Sequence, residues 1–229
     1  MSLSIIIPAY NEEKRIEKTI NSVYGAFRDD LELIVVSNGS TDKTVYVLKG
    51  LKRKYKSLKI LVFKKKLGKG GAIIEGLKIA KKDIMGFLDA DDAFDLKEIK
   101  KAMAYFKGYD CIIASKWKGQ SFFNVDEPFL RKLFSRGWNL LVRLLLGLDF
   151  YDTQAGAKFL KKRAYEKISK KGFITKGFEF DVELLYRLKQ NNFKVKEIFI
   201  PSRFIAGSRF SLKYMPPMFK NLIKIAQSR

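Results

Sequence analysis

The stretch Phe87-Leu88-Asp89-Ala90-Asp91-Asp92 sets two carboxylates, Asp89 and Asp91, directly after a short apolar run. In an extended chain alternate side chains point the same way, so this pair faces one side. Paired carboxylates suit a hard divalent cation such as Mg²⁺ or Mn²⁺, and a cation held there takes up charge as a diphosphate departs. An Asp-x-Asp alone is equally a solvated acidic loop; its place at a strand end gives it weight. Gly68-Lys69-Gly70-Gly71 precedes a helical stretch. Small residues permit close backbone approach, and a helix N-terminus favours anions; a flexible turn is the plain alternative. The run lacks the spacing of a Walker A loop or a dinucleotide fingerprint. Pro8-Ala9-Tyr10-Asn11-Glu12 offers an aromatic to stack on a base and a carboxylate for ribose hydroxyls, or simply an Asn-capped helix start.

The elements that must position these residues alternate. Leu3–Ile7, Leu31–Val36, Ile60–Phe63, Ile84–Leu88 and Asp110–Ala114 read as buried strands. Between them fall helices. The first is capped by Asn11 and carries Ile16, Ile20, Val23, Tyr24 and Phe27. The next starts at Thr41 or Asp42, a third covers 70–82, and a fourth carries Leu96, Ile99 and Met103. Continuous apolar strands alternating with helices predict an α/β fold, a mostly parallel sheet covered on both faces. Ligands of such sheets bind beyond the carboxyl ends of the strands, where all the polar clusters above fall, together with the Asn38-Gly39-Ser40 turn. Further on, 128–148 reads as a long amphipathic helix with Lys132, Arg136, Asn139 and Arg143 on one stripe. Residues 178–189 form another helix, Val195–Ile200 a late strand, and Met215–Gln227 a basic amphipathic helix.

Composition narrows the chemistry. The chain has 229 residues, of which 47% are hydrophobic, enough for one substantial core. With no histidine, His-based zinc sites and His-dependent triads are excluded. The single cysteine, Cys111, excludes an intrachain disulfide and reads as a buried structural thiol. The net charge of +22 attracts polyanions: nucleic acid, anionic lipid or phosphorylated substrates. No run reaches the roughly 18–20 apolar residues of a membrane span.

Taken in order, six segments resemble the family 2 inverting glycosyltransferases, in particular the polyprenyl-phosphate (dolichyl-phosphate) mannose or glucose synthases. They are 6–12 (IIPAYNE), 35–44 (VVSNGSTDKT), 67–76 (LGKGGAIIEG), 87–91 (FLDAD), 152–158 (DTQAGAK) and 176–185 (KGFEFDVELL). The resemblance implies a glycosyltransferase-A, Rossmann-like fold over 1–210. Residues 1–120 would form the nucleotide-sugar half, 121–210 the acceptor half, and 211–229 a basic tail. It implies that Pro8, Tyr10, Glu12, Val36 and Asn38 line the nucleoside pocket, and that Asp89 and Asp91, flanking Ala90, hold Mg²⁺ or Mn²⁺. Lys69, Lys176, Arg203 and Arg209 would contact the donor, and Lys116, Arg131 and Ser135 the acceptor phosphate. Asp152 and Gln154 belong to a further segment near the site, Asp152 being a catalytic candidate. The chain departs from the family pattern at Ser37-Asn38 (usually Asp-Asp), at Lys116 (often Arg) and at Ala93, where some relatives supply another metal ligand.

The activity so implied is metal-dependent, inverting transfer of a hexose from GDP-mannose or UDP-glucose to a polyprenyl phosphate. A phosphate monoester, with its second pKa near 6, needs positioning more than deprotonation, which suits Lys116, Arg131 and Ser135. The apolar face of 129–148 beside its basic stripe suits a membrane surface. The expected location is therefore peripheral, on the cytoplasmic face of a membrane, aided by anionic lipid or a membrane subunit. Two other readings compete: a soluble family 2 transferase acting on a hydroxyl, and a non-catalytic nucleic-acid or lipid-phosphate binding module.

Overall fold

The computed structural model describes residues 2–27, 31–205 and 215–228. The chain runs β1 (Leu3–Ala9), α1 (Ile16–Ala26), β2 (Leu31–Asn38), α2 (Thr44–Lys54), β3 (Lys59–Phe63), α3 (Lys69–Ile79), β4 (Ile84–Leu88) and α4 (Leu96–Ala102). A 3₁₀ turn, Met103–Lys107, leads to β5 (Cys111–Ser115), α5 (Phe129–Leu146), β6 (Ala157–Lys161), α6 (Lys162–Ser169), α7 (Phe180–Gln190), β7 (Val195–Phe199) and α8 (Met215–Gln227). The strands form one seven-stranded sheet in the order β3-β2-β1-β4-β6-β5-β7. All neighbours are parallel except β6, which runs antiparallel to both β4 and β5.

Strands buried on both faces alternate between two cores. Ile6, Ile34 and Phe87 face a layer built from α3, α5, α6, α7 and α8. Ile5, Ile7, Leu33 and Val35 face α1, α2 and α4. This is the doubly covered, mostly parallel sheet expected of a glycosyltransferase-A fold. Cys111 lies in the first core, where burial pushes its thiol up to about 12.

Three expectations need correction. Asn11 caps no helix: it is left-handed (φ 54°), and α1 begins only at Ile16. Its side chain instead accepts from the Thr41 N–H at 2.8 Å, tying the end of β1 to the start of α2. Second, β6 was unread. Lys158, its second residue, breaks the apolar run, yet the side chain is fully buried. Third, the polar stripe of α5 faces the protein rather than a membrane. Lys132 donates to Phe122 O (3.0 Å), Arg136 to Tyr151 O (2.9 Å) and Asn139 to Thr153 Oγ1 (3.4 Å). Loop carbonyls left unpaired beside the helix would cost free energy, so the long polar side chains turn inward to meet them. Trp138, Val142 and Leu146 pack into the first core, and the opposite face points out: Phe129, Leu130, Leu133, Phe134, Leu140 and Leu144 are exposed, Leu144 by 75%. Gly147, left-handed at φ 62°, ends the helix.

Candidate active site

The C-terminal ends of β1, β2, β4, β5 and β7 and the segment leading into β6 meet along one sheet edge. β4 ends at Leu88, opposite Ala157 of β6. The Asp89 N–H donates to Gly156 O at 2.8 Å, fixing the first carboxylate against the incoming strand. A Cβ at position 156 would lie 2.1 Å from Asp89 Oδ2, so only glycine fits there. Asp91 accepts from the Ala93 N–H at 3.2 Å. Asp89 and Asp91 line one small cleft of about 10 Å³ with Thr19, Asp92 and Gly156. Burial pushes the Asp89 carboxyl above its ordinary value, a shift that Lys69 opposes and Asp91 reinforces. Lys69 Nζ lies 2.8 Å from Asp89 Oδ1 and 3.8 Å from Asp181 Oδ2. Burial alone would lower this ammonium, but the flanking carboxylates raise it above its usual range.

Two carboxylates of this kind are hard oxygen donors of the sort Mg²⁺ and Mn²⁺ take. No group of three or more metal-ligating side chains gathers among the described residues, so phosphate oxygens and water would complete a coordination shell. The residues fit such an ion, since a cation, the Lys69 ammonium, already rests against Asp89.

On the nucleoside side, Glu12 is buried and holds Arg15 in a two-point pair at 2.7 and 2.9 Å. Lys66 Nζ lies 4.0 Å from the Tyr10 ring centroid, covering the aromatic face expected for a base. Pro8 is half-buried opposite Val36 in the β1–β2 ladder. The Val36 side chain is wholly in the core, so only its backbone borders the edge. Asn38 uses both ends of its amide on the following loop: Nδ2 donates to Gly68 O (3.0 Å) and Oδ1 accepts from the Leu67 N–H (2.7 Å). Ala90, buried, accepts from Thr19 Oγ1 at 2.7 Å.

The glycine run also differs from expectation. The Gly70 and Gly71 N–H groups at the start of α3 donate to Gly177 O (3.1 Å) and Lys176 O (3.0 Å). These first-turn donors are therefore spent on protein carbonyls. The close approach is to the chain itself: a Cβ at Gly68 would meet Lys176 O at 2.2 Å, and one at Gly70 would meet Phe180 Cβ at 2.3 Å.

On the acceptor side, Lys116 and Arg131 converge on one oxygen of Glu127, at 2.8 and 3.1 Å. The other oxygen, Oε2, is buried without a hydrogen-bond partner. Ser135 lies one turn along α5 from Arg131, partly buried. Asp152, 5% exposed, accepts from the Lys116 N–H (3.4 Å), while its own N–H donates to Glu197 Oε1 (2.8 Å). Gln154 donates to Phe178 O at 3.1 Å. Lys176 is exposed beside Gly71. Arg203, exposed, donates its backbone N–H to Ala93 O (2.9 Å), bringing the chain after β7 beside the Asp91 loop. Arg209 lies outside the described residues.

Five residues at this edge were not singled out from sequence: Gly156, Lys158, Asp181, Glu127 and Glu197. Lys158 and Asp181 carried a weak signal, each a charge set between apolar neighbours in its element. Glu127 and Glu197 carried none, because exposed and buried glutamates look alike in a polar loop or edge strand.

The glycosyl transferase family 2 profile matches residues 4–169. A dolichyl-phosphate beta-glucosyltransferase of Trichomonas vaginalis is 29% identical over 98% of this chain and 72% of its own length. One of Drosophila melanogaster is 29% identical over 92% of this chain and 70% of its own. Among solved structures, glucosyl-3-phosphoglycerate synthase of Mycobacterium tuberculosis, held with Mn²⁺, UDP and glucosyl-3-phosphoglycerate, superposes with a TM-score of 0.70. That match covers 99% of this chain and 79% of the other at 19% identity, a likeness of fold. With most of the sheet and the Asp89–Asp91 edge inside the matched region, the chain belongs to glycosyl transferase family 2.

Proposed function

We propose that the protein transfers a glucosyl group, with inversion, from UDP-glucose to a polyprenyl phosphate, giving a lipid-linked monosaccharide. One juxtaposition carries this reading. Lys116 and Arg131, a cation pair suited to a phosphate, meet at the foot of α5, where Phe129, Leu130, Leu133 and Phe134 are exposed. A phosphorylated lipid needs such a neighbourhood: charge-assisted donors for its head and an apolar surface for its tail. The names of the relatives favour glucose over mannose, so GDP-mannose is the alternative donor.

Asp89 and Asp91 would hold the divalent ion, which when bound neutralises charge on the departing diphosphate. Lys69, Lys176, Arg203 and Arg209 would grip the donor. Lys116, Arg131 and Ser135 would aim one oxygen of the acceptor phosphate at the anomeric carbon. As that oxygen forms its bond, the carbon–oxygen bond to the diphosphate breaks on the opposite face, and the nucleoside diphosphate leaves with the bonding pair. The acceptor is already dianionic near neutral pH, so no proton need move. No described helix is long and apolar enough to cross a membrane. The outward face of α5 would instead bind at the lipid surface, on the cytoplasmic side.

The test incubates the protein with labelled UDP-glucose or GDP-mannose, Mn²⁺ and vesicles containing polyprenyl phosphate. Label should pass from UDP-glucose into the organic phase. A product that stays in water, with a hydroxyl acceptor, would overturn the lipid reading.

A further inference from the structure

Behind Asp89 lies a line of charges whose two inner members, Lys158 and Asp181, the transfer reaction does not use directly. Lys158, the second residue of β6, is fully buried and donates to Asp181 Oδ1 at 2.5 Å and to Ala155 O at 2.6 Å. A charge at that depth is tolerated only when paired and hydrogen-bonded. Asp181, on α7 with its side chain 2% exposed, turns its second oxygen toward Lys69 at 3.8 Å. Lys69, at the start of α3, reaches Asp89 at 2.8 Å. The series Lys158–Asp181–Lys69–Asp89 alternates in sign and draws on β6, α7, α3 and the end of β4. Its inner pair is walled in. Its outer carboxylate rests against Gly156, where a Cβ would lie 2.1 Å from Asp89 Oδ2. The one member on a flexible stem at the surface of this line is Lys69, whose ammonium can change partners by rotating its own bonds.

We propose that Lys69 is the resident counter-cation of Asp89, displaced when a divalent ion binds, and that Lys158 and Asp181 are positioning residues that hold an oxygen ready for the displaced ammonium. The proposal rests on the reading of Asp89 and Asp91 as metal ligands. While the site is empty Lys69 offsets the charge of Asp89 and leaves only that of Asp91, so metal binding becomes an exchange of cations at Asp89 rather than the filling of a bare acidic pocket. Asp181, fixed by Lys158, makes that exchange easier by offering Lys69 a second anion within reach.

The test measures Mn²⁺ binding without nucleotide, from the electron-spin-resonance signal of free Mn²⁺. Lys69→Met removes the competing charge and should tighten Mn²⁺ binding about tenfold, as expected for one nearby charge in a partly screened site. Removing the inner pair together, as Lys158→Met/Asp181→Leu, leaves no uncompensated buried charge, so the fold survives. That variant should weaken Mn²⁺ binding several-fold with Lys69 present and leave it unchanged in the Lys69→Met background. A merely structural role would weaken binding equally in both backgrounds, and that result overturns the positioning claim. Mn²⁺ binding no tighter in Lys69→Met than in the parent overturns the counter-cation claim. A parent that takes up no Mn²⁺, alone or with UDP, overturns the metal-ligand reading itself, a different failure from either of these.

Discussion

Asn38 spends its amide on holding the 67–68 loop, donating to Gly68 O and accepting from the Leu67 N–H. A carboxylate, usual at this position in the family, would keep the acceptor and lose the donor. It would also set two oxygens against each other in a buried place. Asn38→Asp should therefore cost about 1–3 kcal/mol in denaturant unfolding. Unchanged stability would show that the Gly68 bond contributes nothing. The departure from family pattern, legible in sequence only as an oddity, is thus explained by a hydrogen bond within the chain before any ligand is considered.

Helix α5 separates what periodicity can give from what it cannot. The spacing of Lys132, Arg136, Asn139 and Arg143 identifies a polar stripe, but a stripe pattern reads the same whichever side faces the protein. Here the loop carbonyls of Phe122 and Tyr151 decide it. Strands β1, β2, β4 and β5 were legible because their apolar runs are continuous, whereas β6 hid behind its buried Lys158. At the site, Asp89 and Asp91 were visible as a spaced pair, but the partners Gly156 and Glu127 come from other segments and only folding gathers them. Leu140→Glu/Leu144→Glu tests the outward face. Both residues are exposed, by 58% and 75%, so stability should change by no more than about 1 kcal/mol for the pair. Cosedimentation with anionic vesicles should fall well below that of the parent. Equal binding would remove α5 from the membrane-facing account.

For the whole molecule, a net charge of +22 makes acid the weak flank. Glu32, Asp42 and Asp110 each sit below their ordinary values of 4.5, 3.8 and 3.8. In each, desolvation pushes upward and hydrogen bonds outweigh it: Lys59 and Ser4 on Glu32, Thr44 on Asp42, Arg163 on Asp110. The folded carboxyls bind protons less readily than the unfolded ones, so their contribution is complete above about pH 4.5 and is lost as pH falls through the folded values. Each proton taken up also adds to the positive self-repulsion. The melting temperature should accordingly hold steady from pH 7 to about 5 and drop steeply toward pH 3. A flat profile across that range would refute the assignment.

The placement of β6 bears on how this molecule is made. β4 and β5 do not touch; each pairs with β6, which lies between them. A ribosome releasing the chain in order would deliver five strands and five helices before β6, the strand that welds the two wings of the sheet. Until residue 161 emerges, β5 has no strand to join it to β4, and Asp89 waits for its backbone partner at position 156. The edge that carries Asp89 and Asp91 is therefore completed only late in synthesis, by β6 and the segments after it.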